Sequence, residues 1–96
     1  MKQPAVYIGA SRRNGTLYTG VTSRLIQLVW QHRTGAGGGF TKRYGCKLLA
    51  WYELFDSMEQ AILREEIKAG SRARKLALIE TLNPDWRDLW DDIAHP

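Results

Sequence analysis

Hydrophobic and polar positions change period along the chain in a way that marks out its elements. Two short apolar runs, Ala5 to Ala10 and Leu17 to Gly20, each carry one tyrosine and flank Asn14-Gly15. Asn-Gly tolerates the positive φ of a tight turn, and β-branched and aromatic residues on both sides predict a β-hairpin. Thr22 and Ser23 are helix N-cap types, and Arg24 to Arg33, closed by Thr34-Gly35, predicts a three-turn helix. Leu25, Ile26, Leu28, Val29 and Trp30 make that helix apolar around much of its circumference, so it is expected to pack on the sheet with little exposed surface. Arg24, Leu28 and His32 fall at i, i+4 and i+8, on one stripe. Gly35 to Gly39, with four glycines in five residues, predicts a loop rather than a domain linker. Cys46 to Phe55 predicts the third and longest strand, central or covered. Asp56 or Ser57 is expected to cap a helix from Met58 to about Lys68. Ser71 then caps one from Arg72 to Leu82, which Asn83-Pro84 ends. Asp85 to Ile93 predicts a last amphipathic turn or two, with Trp86, Leu89 and Trp90 docked on the core.

This pattern predicts an α/β sandwich in the order β-β-α-β-α-α, and the 96 residues fit one small domain with its core over about 5–90. A single cysteine, Cys46, excludes an intramolecular disulfide and a Cys-rich zinc site, and a reducing cytoplasm is the expected compartment. No apolar run suits a signal peptide or a membrane span. The net charge of +4 is unevenly placed. Residues 1–52 carry eight basic side chains and no acidic one, whereas residues 53–96 carry six basic and ten acidic. A wholly basic half that also holds both hairpin tyrosines fits a polyanionic partner, since phosphate neutralisation dominates nucleic-acid affinity.

Candidate chemistry concentrates in that half. Tyr7 and Tyr18 on adjacent strands can face one pocket, and Gly20 leaves room for the close approach of a ligand. In Phe40-Thr41-Lys42-Arg43-Tyr44-Gly45 an aromatic pair brackets two cations, an arrangement suited to holding a phosphate backbone. Arg12 and Arg13 in the hairpin turn join Lys42, Arg43 and Tyr44 as candidate nucleic-acid contacts. The glycine run lacks the Gly-Lys-Ser/Thr ending of a nucleotide-binding loop.

Ala5-Val6-Tyr7 followed by Tyr18-Thr19-Gly20 resembles the paired motif of the GIY-YIG nucleases, with the first Gly-Ile relaxed to Ala-Val and the middle Ile to Thr. Gly20 to Ser23, Gly39 to Gly45, Arg64-Glu65, Lys68 to Arg72 and Leu82 to Leu89 extend the resemblance to the small stand-alone bacterial members, over roughly residues 5 to 90. The resemblance implies an antiparallel three-stranded sheet and an endonuclease that hydrolyses DNA phosphodiester bonds in repair or recombination, with one divalent ion, Mg²⁺ or Mn²⁺. It implies Tyr7 as general base or water-orienting phenol, Tyr18 as a hydrogen-bond donor to phosphate or water, and Glu65 as the metal ligand. His32 matches a proton-transfer or phosphate-contacting position, and Asn83 an asparagine that supports the site. A spacing one residue shorter than in related small members leaves both Glu65 and Glu66 as candidates for the inward carboxylate.

The sequence departs from the family at one position. The arginine ten residues after the second tyrosine is Leu28 here. Arg24, one turn earlier on the same stripe, is the candidate replacement. The alternative is a module that binds nucleic acid with impaired catalysis, and a third is a protein-interaction domain. A branched or duplex DNA partner, no membrane and an open question of homodimerisation complete the expectations.

Overall fold

The computed structural model describes residues 3–34, 45, 47–64 and 70–94, together with the backbone but not the side chain of His32. Among them lie β1 (Ala5–Ala10), β2 (Leu17–Thr22), α1 (Leu25–Thr34), β3 (Leu48–Leu54), α2 (Met58–Arg64), α3 (Arg72–Leu82) and α4 (Trp90–Ala94). The predicted glycine loop and Phe40 to Tyr44 lie outside the described residues, as do Cys46 and the expected continuation of α2 through Glu65 to Lys68.

The strands form one antiparallel sheet in the order β2-β1-β3, as the fold expectation required. β1 and β2 make the predicted hairpin, but its turn is wider than an Asn-Gly pair. Ala10 is the last residue paired, with Leu17. Beyond it the Ser11 N–H donates to Thr16 O at 3.0 Å and the Gly15 N–H to Arg12 O at 2.9 Å. Only Asn14 takes positive φ there, at 58°. Gly15 is required for space instead. A Cβ on it would overlap Ser11 Oγ and lie 2.8 Å from Arg12 Cγ.

β1 is central, and of the two expectations for Cys46–Phe55, central or covered, the first is corrected, because β3 lies at the edge of the sheet. Because alternate residues of a strand point to opposite faces, β1 feeds two cores. Val6, Ile8 and Ala10 pack with Ala50, Trp51, Ala61, Ile79 and Trp86 on the α2–α3 face. Ala5 and Tyr7 pack with Leu25, Val29, Leu49 and Leu89 on the α1 face. A register shift separates Ile8, paired with Trp51, from Gly9, paired with Leu49. Ala50 is the extra residue of this bulge, and Ala50 and Trp51 therefore serve the same core.

Three capping expectations hold in the structure. Ser57 Oγ accepts the Gln60 N–H, Ser71 Oγ accepts the Arg74 N–H, and Asn83 ends α3. Two others need correction. α1 does not bury most of its circumference: Leu25 and Val29 face the core while Ile26 and Trp30 stay 53% and 51% exposed, because one helix face is all that a single sheet covers. The helix expected from Asp85 begins only at Trp90. Pro84 follows the end of α3, and Trp86 adopts φ 54°, a conformation outside the helix, while its ring fills the core at 4% exposure.

The irregular segment after α3 is stitched to the edge of β3. Asn83 Nδ2 donates to Ala50 O at 3.1 Å and to Arg87 O at 2.7 Å, and Asn83 Oδ1 accepts the Arg87 N–H at 3.0 Å. The carbonyl displaced by the bulge thus finds its donor from a side chain. Asp88 Oδ1 accepts the Leu49 and Trp90 N–H groups, both at 3.1 Å, and the Leu89 N–H donates to Leu49 O at 2.8 Å. Asp88 Oδ2 pairs with Arg33 of α1, whose guanidinium lies 5.4 Å over the Trp90 ring.

Two stability outcomes follow. Asn83→Ala leaves the buried Ala50 carbonyl and the Arg87 amide without their partner, and urea unfolding should report a loss of about 2–3 kcal/mol. Thr19 is buried with no hydrogen-bond partner for its hydroxyl among the described residues. Thr19→Val removes that group at nearly constant volume and should raise stability by about 1 kcal/mol in the same measurement.

Candidate active site

Both tyrosines project from the α1 face of the hairpin, on diagonal positions. In the β1–β2 register Tyr7 stands opposite Gly20, and Tyr18 opposite Gly9. The rings are 6.2 Å apart between centroids and tilted by 42°. A Cβ at position 20 would fall 2.8 Å from Tyr7 Oη and 2.9 Å from Cζ and Cε1, so the phenol lies across the bare backbone of the neighbouring strand. The expectation that Gly20 leaves room for a ligand is corrected: the space is taken by the ring of Tyr7 itself. Tyr7 is 3% exposed, while Tyr18 is half-buried.

α1 crosses above the pair. Leu25 and Val29 pack with Tyr7, and half-buried Leu28 joins Tyr18 against the same apolar cluster. Leu28 thus packs on the same cluster as the two tyrosines. Arg24 stands apart from that packing, exposed at the start of the helix, with Nη1 3.5 Å from Gln27 Oε1. It lines a groove of about 850 Å³ with Ile26, Trp30, Tyr52, Leu54 and Trp90. Neither Tyr7 nor Tyr18 lines this groove. His32 lies on α1 one turn beyond Leu28, and only its backbone is described.

Asn83 is 3% exposed, and its two amide protons and its carbonyl oxygen are all engaged by backbone groups. Its bonds tie the segment after α3 to β3 at Ala50. Arg12 and Arg13 are exposed in the hairpin turn. Glu65, Lys42, Arg43 and Tyr44 lie outside the described residues. Among the described residues no group of three His, Cys, Asp or Glu is placed to hold a metal ion, and no helix is long and apolar enough to cross a membrane.

One aromatic near the pair went unread in the sequence. Tyr52 is the cross-strand partner of Tyr7 and packs against the same apolar cluster. Period-two counting from Leu49 places it on the opposite face. The Ala50 bulge reverses that parity, and nothing in the local sequence signals a bulge at an alanine.

Comparison with known proteins agrees with this geometry. A family model described as the GIY-YIG catalytic domain matches residues 3–76. A UPF0213 protein of Staphylococcus haemolyticus is 38% identical over 81 residues, covering 83% of this chain and 98% of its own length. A UPF0213 protein of Streptococcus pyogenes is 40% identical over 68 residues, covering 69% of this chain and 74% of its own. The solution NMR structure of a UPF0213 protein from Bacillus halodurans superposes with a TM-score of 0.56 at 28% identity, over 93% of this chain and 95% of that one. With the tyrosine pair, the sheet order and a family match over most of its length, the chain belongs to the GIY-YIG catalytic domain family.

Proposed function

We propose that this protein is a metal-dependent endonuclease that hydrolyses DNA phosphodiester bonds, acting in the cytoplasm on repair or recombination intermediates. The observation that carries the reading is the Tyr7–Tyr18 pair, held 6.2 Å apart on the sheet of a family-matching domain. Hydrolysis needs a water aimed at phosphorus, relief of the charge that develops on the phosphate, and a proton for the departing oxygen. Tyr7 is suited to the first task. Its ring is clamped between α1 and the Gly20 backbone, so its hydroxyl has little freedom of direction and can orient or deprotonate a water. Tyr18, half-buried and more open to solvent, donates to the phosphate or the same water.

Glu65 is the residue assigned to hold the divalent ion. A carboxylate is a hard oxygen donor, which fits Mg²⁺ or Mn²⁺, and among the described residues no group of three His, Cys, Asp or Glu offers another metal site. When bound, the ion supplies charge neutralisation at the phosphate. His32, one turn beyond Leu28 on α1, is assigned to proton transfer or phosphate contact, and Lys42, Arg43 and Tyr44 to the DNA backbone.

Leu28 favours a second reading, a nucleic-acid-binding module with weak turnover. It puts a half-buried aliphatic side chain where the family has a guanidinium, and Arg24 reaches Gln27 rather than the tyrosines. Losing one positioned electrostatic group typically costs about 10²–10³ in rate.

Cleavage of labelled branched and duplex DNA with Mg²⁺ or Mn²⁺ tests both readings. Glu65→Ala and Tyr7→Phe should each lower cleavage by about 10²-fold or more while binding persists. Unchanged cleavage in both variants would refute the assignment. Leu28→Arg should raise the cleavage rate by about 10²-fold at nearly constant affinity if the second reading holds, and should leave the rate within a few-fold if turnover is already supported by another cation. Gly20→Ala drives a methyl into the Tyr7 ring. It should cost about 1–3 kcal/mol in stability and lower cleavage at least as strongly as Tyr7→Phe, measured at a temperature where the variant stays folded.

A further inference from the structure

The hairpin tip and the first turn of α3 meet, and every charge they carry is positive. Arg72 Nη2 donates to both Asn14 O and Gly15 O at 2.7 Å, which fixes the helix start against the turn. Arg12 and Arg13 immediately precede those carbonyls in the chain, and Lys75 lies about one turn after Arg72 on α3, whereas Arg74 turns to a groove with Trp51, Glu53 and Arg64. Arg12, Arg13 and Arg72 are exposed, and Lys75 is partly so. The ion pairs among the described residues are Arg33–Asp88, Arg64–Glu53 and Arg87–Asp92, so none of the four cations Arg12, Arg13, Arg72 and Lys75 is neutralised there.

The stability of α3 does not account for this clustering. Its first turn holds no acidic residue, although the helix dipole favours acidic side chains at that end and disfavours cations. Ser71 Oγ already accepts the Arg74 N–H, so the cap is made without these charges, and the backbone that Arg72 bonds is the hairpin turn's. Arg72 uses one guanidinium nitrogen on the turn carbonyls, which leaves its remaining donors outward.

Position relative to the tyrosines gives the cluster its meaning. Tyr18 lies three residues from Gly15, so the tip is roughly 10 Å from it along the strand. The tyrosines occupy the α1 face, α3 covers the opposite face, and the hairpin tip is where the two faces join. We propose that Arg12, Arg13, Arg72 and Lys75 form one phosphate-binding ridge, which holds the nucleic-acid backbone beside the bond presented to Tyr7 and Tyr18. The ridge rests on the nuclease reading above. Its contacts are to phosphates, so it sets register and affinity without reading bases.

Fluorescence anisotropy with a labelled duplex of about 20 base pairs, in EDTA to prevent cleavage and between about 50 and 200 mM salt, tests the ridge. Arg12→Ala/Arg13→Ala should flatten the dependence of log affinity on log salt by about 2 and Lys75→Ala by about 1, since each phosphate contact contributes about 0.9. Affinity at the low-salt end should fall about tenfold or more in the double variant. The melting temperature of Lys75→Ala should stay level or rise, which a structural role would not produce. Arg87→Ala, which loses the Arg87–Asp92 pair beside α4, should keep the wild-type slope. Wild-type slope and affinity in both Arg12→Ala/Arg13→Ala and Lys75→Ala overturn the ridge alone, whereas wild-type protein that shows no salt-dependent duplex binding overturns the nuclease reading and the ridge together.

Discussion

The structure depends on β1 being hydrogen-bonded along both edges and covered on both faces. That double burial forces every side chain of Ala5–Ala10 into one of two cores, and it makes Tyr7 a core residue as much as a chemical one. A tyrosine of this kind buries on the order of 150–250 Å² on folding, worth a few kcal/mol at about 25 cal/mol per Å². The same packing that stabilises the domain therefore aims the phenol. Precision at the site costs no separate scaffold, because the central strand is the scaffold.

Close packing against glycine recurs as the local device. Gly20 admits the Tyr7 ring, and Gly15 admits Ser11 Oγ and the Arg12 side chain within the turn. Neither position has a positive φ, so both glycines are selected by space and not by backbone conformation. Glycine inside a strand weakens it by roughly 0.5–1 kcal/mol relative to alanine. At Gly20 that loss is smaller than the cost of forcing the tyrosine off its rotamer and out of its core position.

A second constraint holds the edge of the sheet. The Ala50 bulge displaces one carbonyl from the β1–β3 ladder, and Asn83 and Asp88 turn the resulting irregular edge into a binding surface for the segment after α3. This arrangement covers part of an edge strand that would otherwise offer free backbone groups to another chain. It also links α1 to β3 through Arg33 and Asp88, so the helix that roofs the tyrosines is anchored at its far end. Near the tyrosines α1 presents Leu28 rather than a cation, and the described positive charge instead gathers at the hairpin tip and the start of α3.

The sequence by itself determined the element types, the hairpin, the helix caps at Ser57 and Ser71, the stop at Asn83-Pro84 and the pairing of Tyr7 with Tyr18. Each of these is written in residues a few positions apart, through period, capping chemistry or turn chemistry. Only the tertiary structure decided that β3 lies at the edge, that Ala50 bulges and so brings Tyr52 to the tyrosine face, and that Trp86 enters the core from a left-handed backbone. It also decided that Ile26 and Trp30 line a groove while Leu25 and Val29 meet the sheet, since an apolar helix does not state which of its faces has a partner. The reason is common to all of them. Strand order, parity after a bulge and the choice of covered face depend on contacts between residues distant in sequence, and local periodicity carries no record of those contacts.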